Sequence, residues 1–198
     1  MLFNSYEFIF LYLPVTLAVF FLIGGTGRRE LAIAWMALAS LFFYAWWNPV
    51  YLGLILLSIL FNYSVGVAIT RQRQHSRRLL TLGVTADLAL LGYYKYANFF
   101  VDNLNAVAGS EVYLTSITLP LGISFFTFTQ IAYLVDAHRG ETREYNFLHY
   151  GLFVTIFPHL IAGPIIHHRR TLPQFAKTYI YRPHARNLAV GITIFVLG

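Results

Sequence analysis

Between Glu30 and Arg71 the chain carries no charged side chain for forty residues. About eighteen apolar residues already suffice for one helical crossing of a bilayer, so this block is too long for a single span. Asn48-Pro49 falls near its middle, and an Asn-Pro pair favours a turn. The block therefore reads as two helices, about Leu31–Trp47 and Tyr51–Thr70, joined by a tight hairpin. Trp46, Trp47 and Tyr51 flank that hairpin, as aromatics do at a membrane–water interface. The rest of the chain has the same shortage of polar surface. Charged residues make up 11% of the 198 and hydrophobic ones 58%, where a soluble domain carries about 25% charged residues.

The other apolar blocks obey the same logic. Phe8–Ile23 lacks a basic leading region and a small-residue cleavage site, so it reads as a retained span and not as a removable signal. A fourth span, about Leu79–Phe100, contains Asp87 and ends in Tyr93-Tyr94-Lys95-Tyr96. A fifth lies between Glu111 and Asp136 and starts near Leu119-Pro120-Leu121-Gly122. The sixth, Tyr145–Ile166, is interrupted by Pro158, Gly163 and Pro164, and a seventh begins near Asn187. The expected fold is all-α, a polytopic transmembrane helical bundle of six to seven hydrophobic segments. Residues 1–198 read as a single membrane domain, the amino-terminal portion of a longer bundle cut inside an apolar run.

Thirteen of the fourteen Lys and Arg lie in four connections: Arg28–Arg29, Arg71–Arg78, Arg139–Arg143 and Arg169–Arg186. Cytoplasmic loops are enriched in such residues, and alternation from an outside amino terminus satisfies the first three. The fourth breaks the alternation if Tyr145–Ile166 crosses fully. Broken backbone is tolerated at membrane depth where protein buries it or it lines a cavity. Residues 147–166 are accordingly expected to form a re-entrant segment. The net charge of +6 is explained by anionic lipid at the cytoplasmic face and calls for no nucleic acid. The absence of cysteine excludes disulfide and thiolate chemistry in this stretch.

Few residues carry chemistry. Asp87 is an acid deep inside a span, which marks a functional candidate; the plainer reading is a side chain accepting hydrogen bonds from neighbouring helices. Lys95 is expected to snorkel outward. His159 has the chemistry of a general base and, equally, of an interior histidine that closes broken backbone. His167 and His168 head a basic connection, and adjacent side chains diverge on a helix, which speaks against a metal pair. Gly24-Gly25-Thr26-Gly27 lacks the Gly-Lys-Ser/Thr of a phosphate loop. Ser124, Thr127 and Gln130, with Thr129 beside them, share a helix face, fit for interhelical hydrogen bonds or for a polar channel wall.

Three strings then gain weight together: Tyr93-Tyr94-Lys95-Tyr96-Ala97-Asn98-Phe99-Phe100, Leu119-Pro120-Leu121-Gly122-Ile123-Ser124-Phe125-Phe126 and Phe157-Pro158-His159-Leu160-Ile161-Ala162-Gly163-Pro164. With Met1-Leu2-Phe3-Asn4-Ser5 and Phe43-Tyr44-Ala45-Trp46-Trp47, the chain resembles membrane-bound O-acyltransferases of the alginate O-acetyltransferase type along essentially its whole length. The resemblance implies acyl transfer to hydroxyls of an exported polysaccharide such as alginate. It implies a donor such as acetyl-CoA acting as substrate, no bound cofactor and no metal. It implies residence in the bacterial cytoplasmic (inner) membrane among membrane lipid, with a periplasmic or extracellular acetyltransferase partner. The family's catalytic histidine sits in a Trp-His setting, and no Trp-His pair occurs in this sequence. No catalytic residue is therefore assigned, and this chain alone is expected to be inactive. Asp87, Gln130, His159, Gly163 and Pro164 are the candidates for lining or shaping a tunnel. The rival readings are a transporter or channel, which would more readily show a duplicated segment pattern, and a non-catalytic assembly subunit.

Overall fold

The structure, a computed structural model, describes residues 2–109, 118–141, 146–160, 174–175 and 177–197. All secondary structure in these residues is helical: α1 (Phe8–Gly25), α2 (Arg29–Trp47), α3 (Val50–Arg71), α4 (Ser76–Ala108), α5 (Ile123–Arg139), α6 (Phe147–Thr155), α7 (Phe157–Leu160) and α8 (Ala185–Leu197), with short 3-10 turns at Arg73–His75 and Thr178–Tyr181. Pro14 explains the irregular start of α1, whose first five residues, Phe8–Tyr12, wind as a π-helix. Proline has no N–H to donate and its ring crowds the carbonyl four residues back, and a wider local turn relieves both.

The long uncharged block does divide at Asn48-Pro49. Asn48 is extended (φ −158°, ψ 109°) and its side chain accepts a hydrogen bond from Val50 N at 3.0 Å, while Pro49 opens α3. Against six to seven expected segments, two described helices, α1 and α3, meet both the length and the apolarity of a full crossing. Only 28% and 39% of their apolar windows are buried by the rest of the chain, whereas a soluble core helix hides most of its length. α4 runs past the expected end at Phe100 to Ala108, because Asp102, Asn103 and Asn105 are polar without being helix breakers. It stops where Gly109 takes the left-handed conformation (φ 64°) that a helix end favours.

α3, α4, α5 and α6 pack around one core that includes Ile59, Leu91, Phe126, Tyr133 and Tyr150. α1 lies outside it on α2, pinned where Tyr12 Oη donates to Ala39 O (2.8 Å) and Trp35 Nε1 donates to Thr16 O (3.0 Å). The basic connections gather at one end of the bundle. Arg73 donates to the carbonyls of His138 and Ala137 at 3.0 and 3.4 Å and so caps α5, and Arg29 donates to Thr178 Oγ1 at 2.8 Å. Glu30 meets His149 at 3.3 Å at the same end.

The sixth segment is broken, two residues before Pro158. α6 starts at the basic end, where Asn146 caps it by accepting from Leu148 N and His149 N. It stops after nine residues at Ile156 (φ −50°, ψ 115°). Proline disfavours helical geometry in the residue before it, yet Phe157 is helical; Ile156 takes the extended conformation instead, and its carbonyl accepts from His159 N and Leu160 N. Pro158 thus sits in the first turn of α7, where a missing N–H is harmless. Phe157 N is satisfied across the bundle by Ser40 Oγ at 3.3 Å. Phe175 then stands beside His149 again, ring centroids 6.5 Å apart, so the chain is back at the level where α6 began. Gly163 and Pro164 lie outside the described residues.

Gly122 is the tightest backbone approach between these parts. It has φ +68°, and a Cβ there would lie 2.6 Å from Leu160 O. Gly122→Ala should cost about 2–5 kcal/mol, from the left-handed backbone and the overpacking together. Gly53→Ala, in α3 with open space around it, should be neutral or slightly stabilising. Thermal unfolding of the solubilised variants checks the contrast, and equal losses would refute the close-approach reading.

Candidate functional site

Inside the bundle the polar side chains meet one another. Ser58 and Asn62 are four residues apart on α3, hence one above the other on a single face. Asn62 Nδ2 donates to Asp87 Oδ1 of α4 at 2.8 Å and to the Ser58 carbonyl at 3.2 Å. Gln130 Nε2 of α5 donates to Ser58 Oγ at 2.9 Å, and Tyr150 Oη of α6 donates to Gln130 Oε1 at 3.3 Å. Asn62, Gln130 and Tyr150 are fully buried, and Asp87 is 3% exposed. One connected network therefore crosses four helices.

The network is incompletely satisfied. Among the described residues, Asp87 Oδ2 and Asn62 Oδ1 are buried with no hydrogen-bond partner, as is Thr127 Oγ1 on α5. A cavity of 310 Å³ between α3 and α4 reaches Asp87 and Ser58 through a wall of Leu54, Leu57, Phe61 and Leu90. Amides, hydroxyls and surplus acceptors can fix helices and receive hydrogen-bond donors. The network itself contains no nucleophile paired with a base.

Of the sequence candidates, the structure brings Asp87 and Gln130 together through Asn62 and Ser58. His159 is buried on α7, between Phe157 and Leu160 in sequence, both of which are buried as well. Lys95 is exposed, with Nζ 5.4 Å from the Tyr96 ring centroid, and does not reach Asp87. Asn62, Ser58, Tyr150 and Ser40 were missed. Asn62 and Ser58 are one helical turn apart in a largely apolar span, and that spacing is the signal that would have found them.

The motif strings converge too. Tyr44, Ile123 and Leu160 belong to one buried cluster, with Tyr51, Tyr94 and Leu121 packed against it. Tyr51 Oη donates to Thr118 O at 2.6 Å, and Gly122 packs its backbone on Leu160. Segments more than a hundred residues apart in sequence thus build one end of the bundle.

Removing one partner of the Asn62–Asp87 pair leaves a buried acceptor bare, and removing both does not. Asn62→Leu should therefore destabilise the protein by about 3 kcal/mol, Asp87→Asn by less than about 1 kcal/mol, and Asn62→Leu/Asp87→Leu by less than the Asn62 variant alone. A double-mutant cycle on thermal unfolding reads this; strict additivity would remove the coupling.

Comparison with known proteins aligns the entire chain. It is 40% identical over 226 residues to the "Peptidoglycan O-acetyltransferase" of Helicobacter pylori. It is 42% identical over 207 residues to the "Probable alginate O-acetylase AlgI" of Azotobacter vinelandii and to that of Pseudomonas aeruginosa. These alignments cover 43%, 40% and 38% of the relatives' own lengths, so the chain spans about two-fifths of each. No family model and no solved structure matches it.

Proposed function

We propose, from the premise that this chain belongs to the membrane-bound O-acyltransferases of the alginate O-acetylase type, that the protein it forms part of transfers acetyl groups to hydroxyls of an exported or cell-envelope glycan. The observation that carries this is identity of 40–42% along the whole chain to proteins named for O-acetylation of two glycans. The interior fits it: a bundle closed by polar side chains keeps water from an activated acyl group while an alcohol approaches. Residues 1–198 act as scaffold and tunnel wall. The family's Trp-His base, absent from this sequence, comes from the part of the relatives' length that lies beyond the match. The donor is an acyl thioester such as acetyl-CoA, delivered from the cytoplasmic side, and a periplasmic or extracellular acetyltransferase passes the group on.

The bundle lies in the bacterial inner membrane with several crossings and its basic end in the cytoplasm. α6 and α7 enter from that end and turn back. Their thirteen helical residues reach about 20 Å at helical rise, short of an apolar core of about 30 Å. Gln74 and Thr178 are exposed at the basic end, and the chain has no native cysteine. A cysteine at either position should resist an impermeant maleimide in intact cells and react after permeabilisation. Labelling in intact cells would invert the topology.

Deleting the gene should strip acetyl esters from the glycan, read by proton NMR of the polymer and of peptidoglycan separately, and the complete protein should restore them. Residues 1–198 alone should not. Unchanged ester content in both polymers would refute the proposal, and the polymer that changes identifies the acceptor.

A further inference from the structure

The connection between α3 and α4 holds Arg71, Arg73, Arg77 and Arg78, and they are not used alike. Arg73 is spent on the end of α5. Arg77 and Arg78 are exposed at the head of α4 and form no ion pair among the described residues. Below them a shallow, open trough runs along the exposed face of α4 alone, past Thr81, Leu82, Thr85, Ala86 and Ala89. At 3.6 residues per turn, Thr81 and Thr85 descend between the lines drawn down the helix from Arg77 and Arg78, and Ala89 follows just beyond the Arg78 line. The Thr81 hydroxyl donates to Arg77 O at 3.0 Å, which leaves its methyl group to form the wall. Ala86 also borders the cavity that leads between α3 and α4 to the buried Asp87.

Two dimensions identify the occupant. Arg77 and Arg78 both border the trough, their long side chains leaving α4 about 100° apart, and guanidinium groups suit the oxygens of a phosphodiester. From Arg78 to Ala89 the trough descends about 16 Å at 1.5 Å per residue, which is half of an apolar core of about 30 Å and therefore the depth of one leaflet. We propose that the head of α4 is a binding site for an anionic phospholipid, with the phosphate on Arg77 and Arg78 and one acyl chain along Thr81, Thr85 and Ala89. The proposal rests on the membrane reading of the bundle; the cysteine-labelling experiment tests that reading separately.

The test is lipid retention on the complete protein, extracted in mild detergent and weighed by native mass spectrometry with phosphatidylglycerol or phosphatidylcholine of identical chains. Phosphatidylglycerol should be retained selectively. Arg77→Gln/Arg78→Gln should reduce its retention about twenty- to thirtyfold, from the worth of two arginines at an anionic surface. Arg71→Gln, at the same end but outside the trough, should leave retention unchanged. Ala89→Phe, three turns from the arginines, should weaken retention by filling the trough, and it does so without altering the charge. Equal retention of the two lipids would overturn the proposal. So would equal loss in the Arg71 variant, which indicates a diffuse basic field, or displacement by soluble glycerol phosphate, which indicates a phosphate site with no chain.

Discussion

The bundle depends on the donation from Asn62 to Asp87 and on the relay of contacts that begins there. Among lipid chains, apolar helix surfaces gain little by choosing one another, since hydrocarbon is as good a neighbour as leucine; polar contacts and close packing decide which helices meet. Asn62 reaches α4, its neighbour Ser58 receives α5, and α5 in turn receives Tyr150 of α6. The small residues work with that network. Gly66 on α3 leaves room for the Tyr133 ring, and Tyr133 packs on Tyr150 with centroids 4.4 Å apart. Polar bonds select the partners, and glycine lets them approach.

The break at Ile156 shows the same economy of means. A helix interrupted inside apolar surroundings frees backbone groups that must find partners, and several at this break have them. Ile156 N donates to Leu152 O, the Ile156 carbonyl caps α7, and Ser40 of α2 takes Phe157 N. Phe8, Tyr12, Phe43 and Phe157 close over the break as an aromatic cluster.

Much of this was legible in the sequence because charge and glycine act locally. The Asn48-Pro49 hairpin, the basic end and the interruption near Pro158 were readable from neighbouring residues alone. The end of α4 was not, since apolar content says where lipid stops and only a breaker such as Gly109 says where a helix stops. Asp87 and Gln130 were visible as polar residues in apolar spans. Their link through Asn62 and Ser58 is a matter of which helix faces which, and nothing local encodes that. Ser40 was invisible for the same reason, its role being fixed by a residue 117 positions away.

The length of α4 has a mechanical consequence. Thirty-three residues make a rod about 50 Å long, while a bilayer with its headgroups measures about 40–45 Å. On the proposed topology, with its basic start at one interface, an upright rod would stand proud of the opposite headgroups and a leaning one would cross at an angle. In either posture Asp102, Asn103 and Asn105 would ride above the apolar core on a stiff post that ends at Gly109.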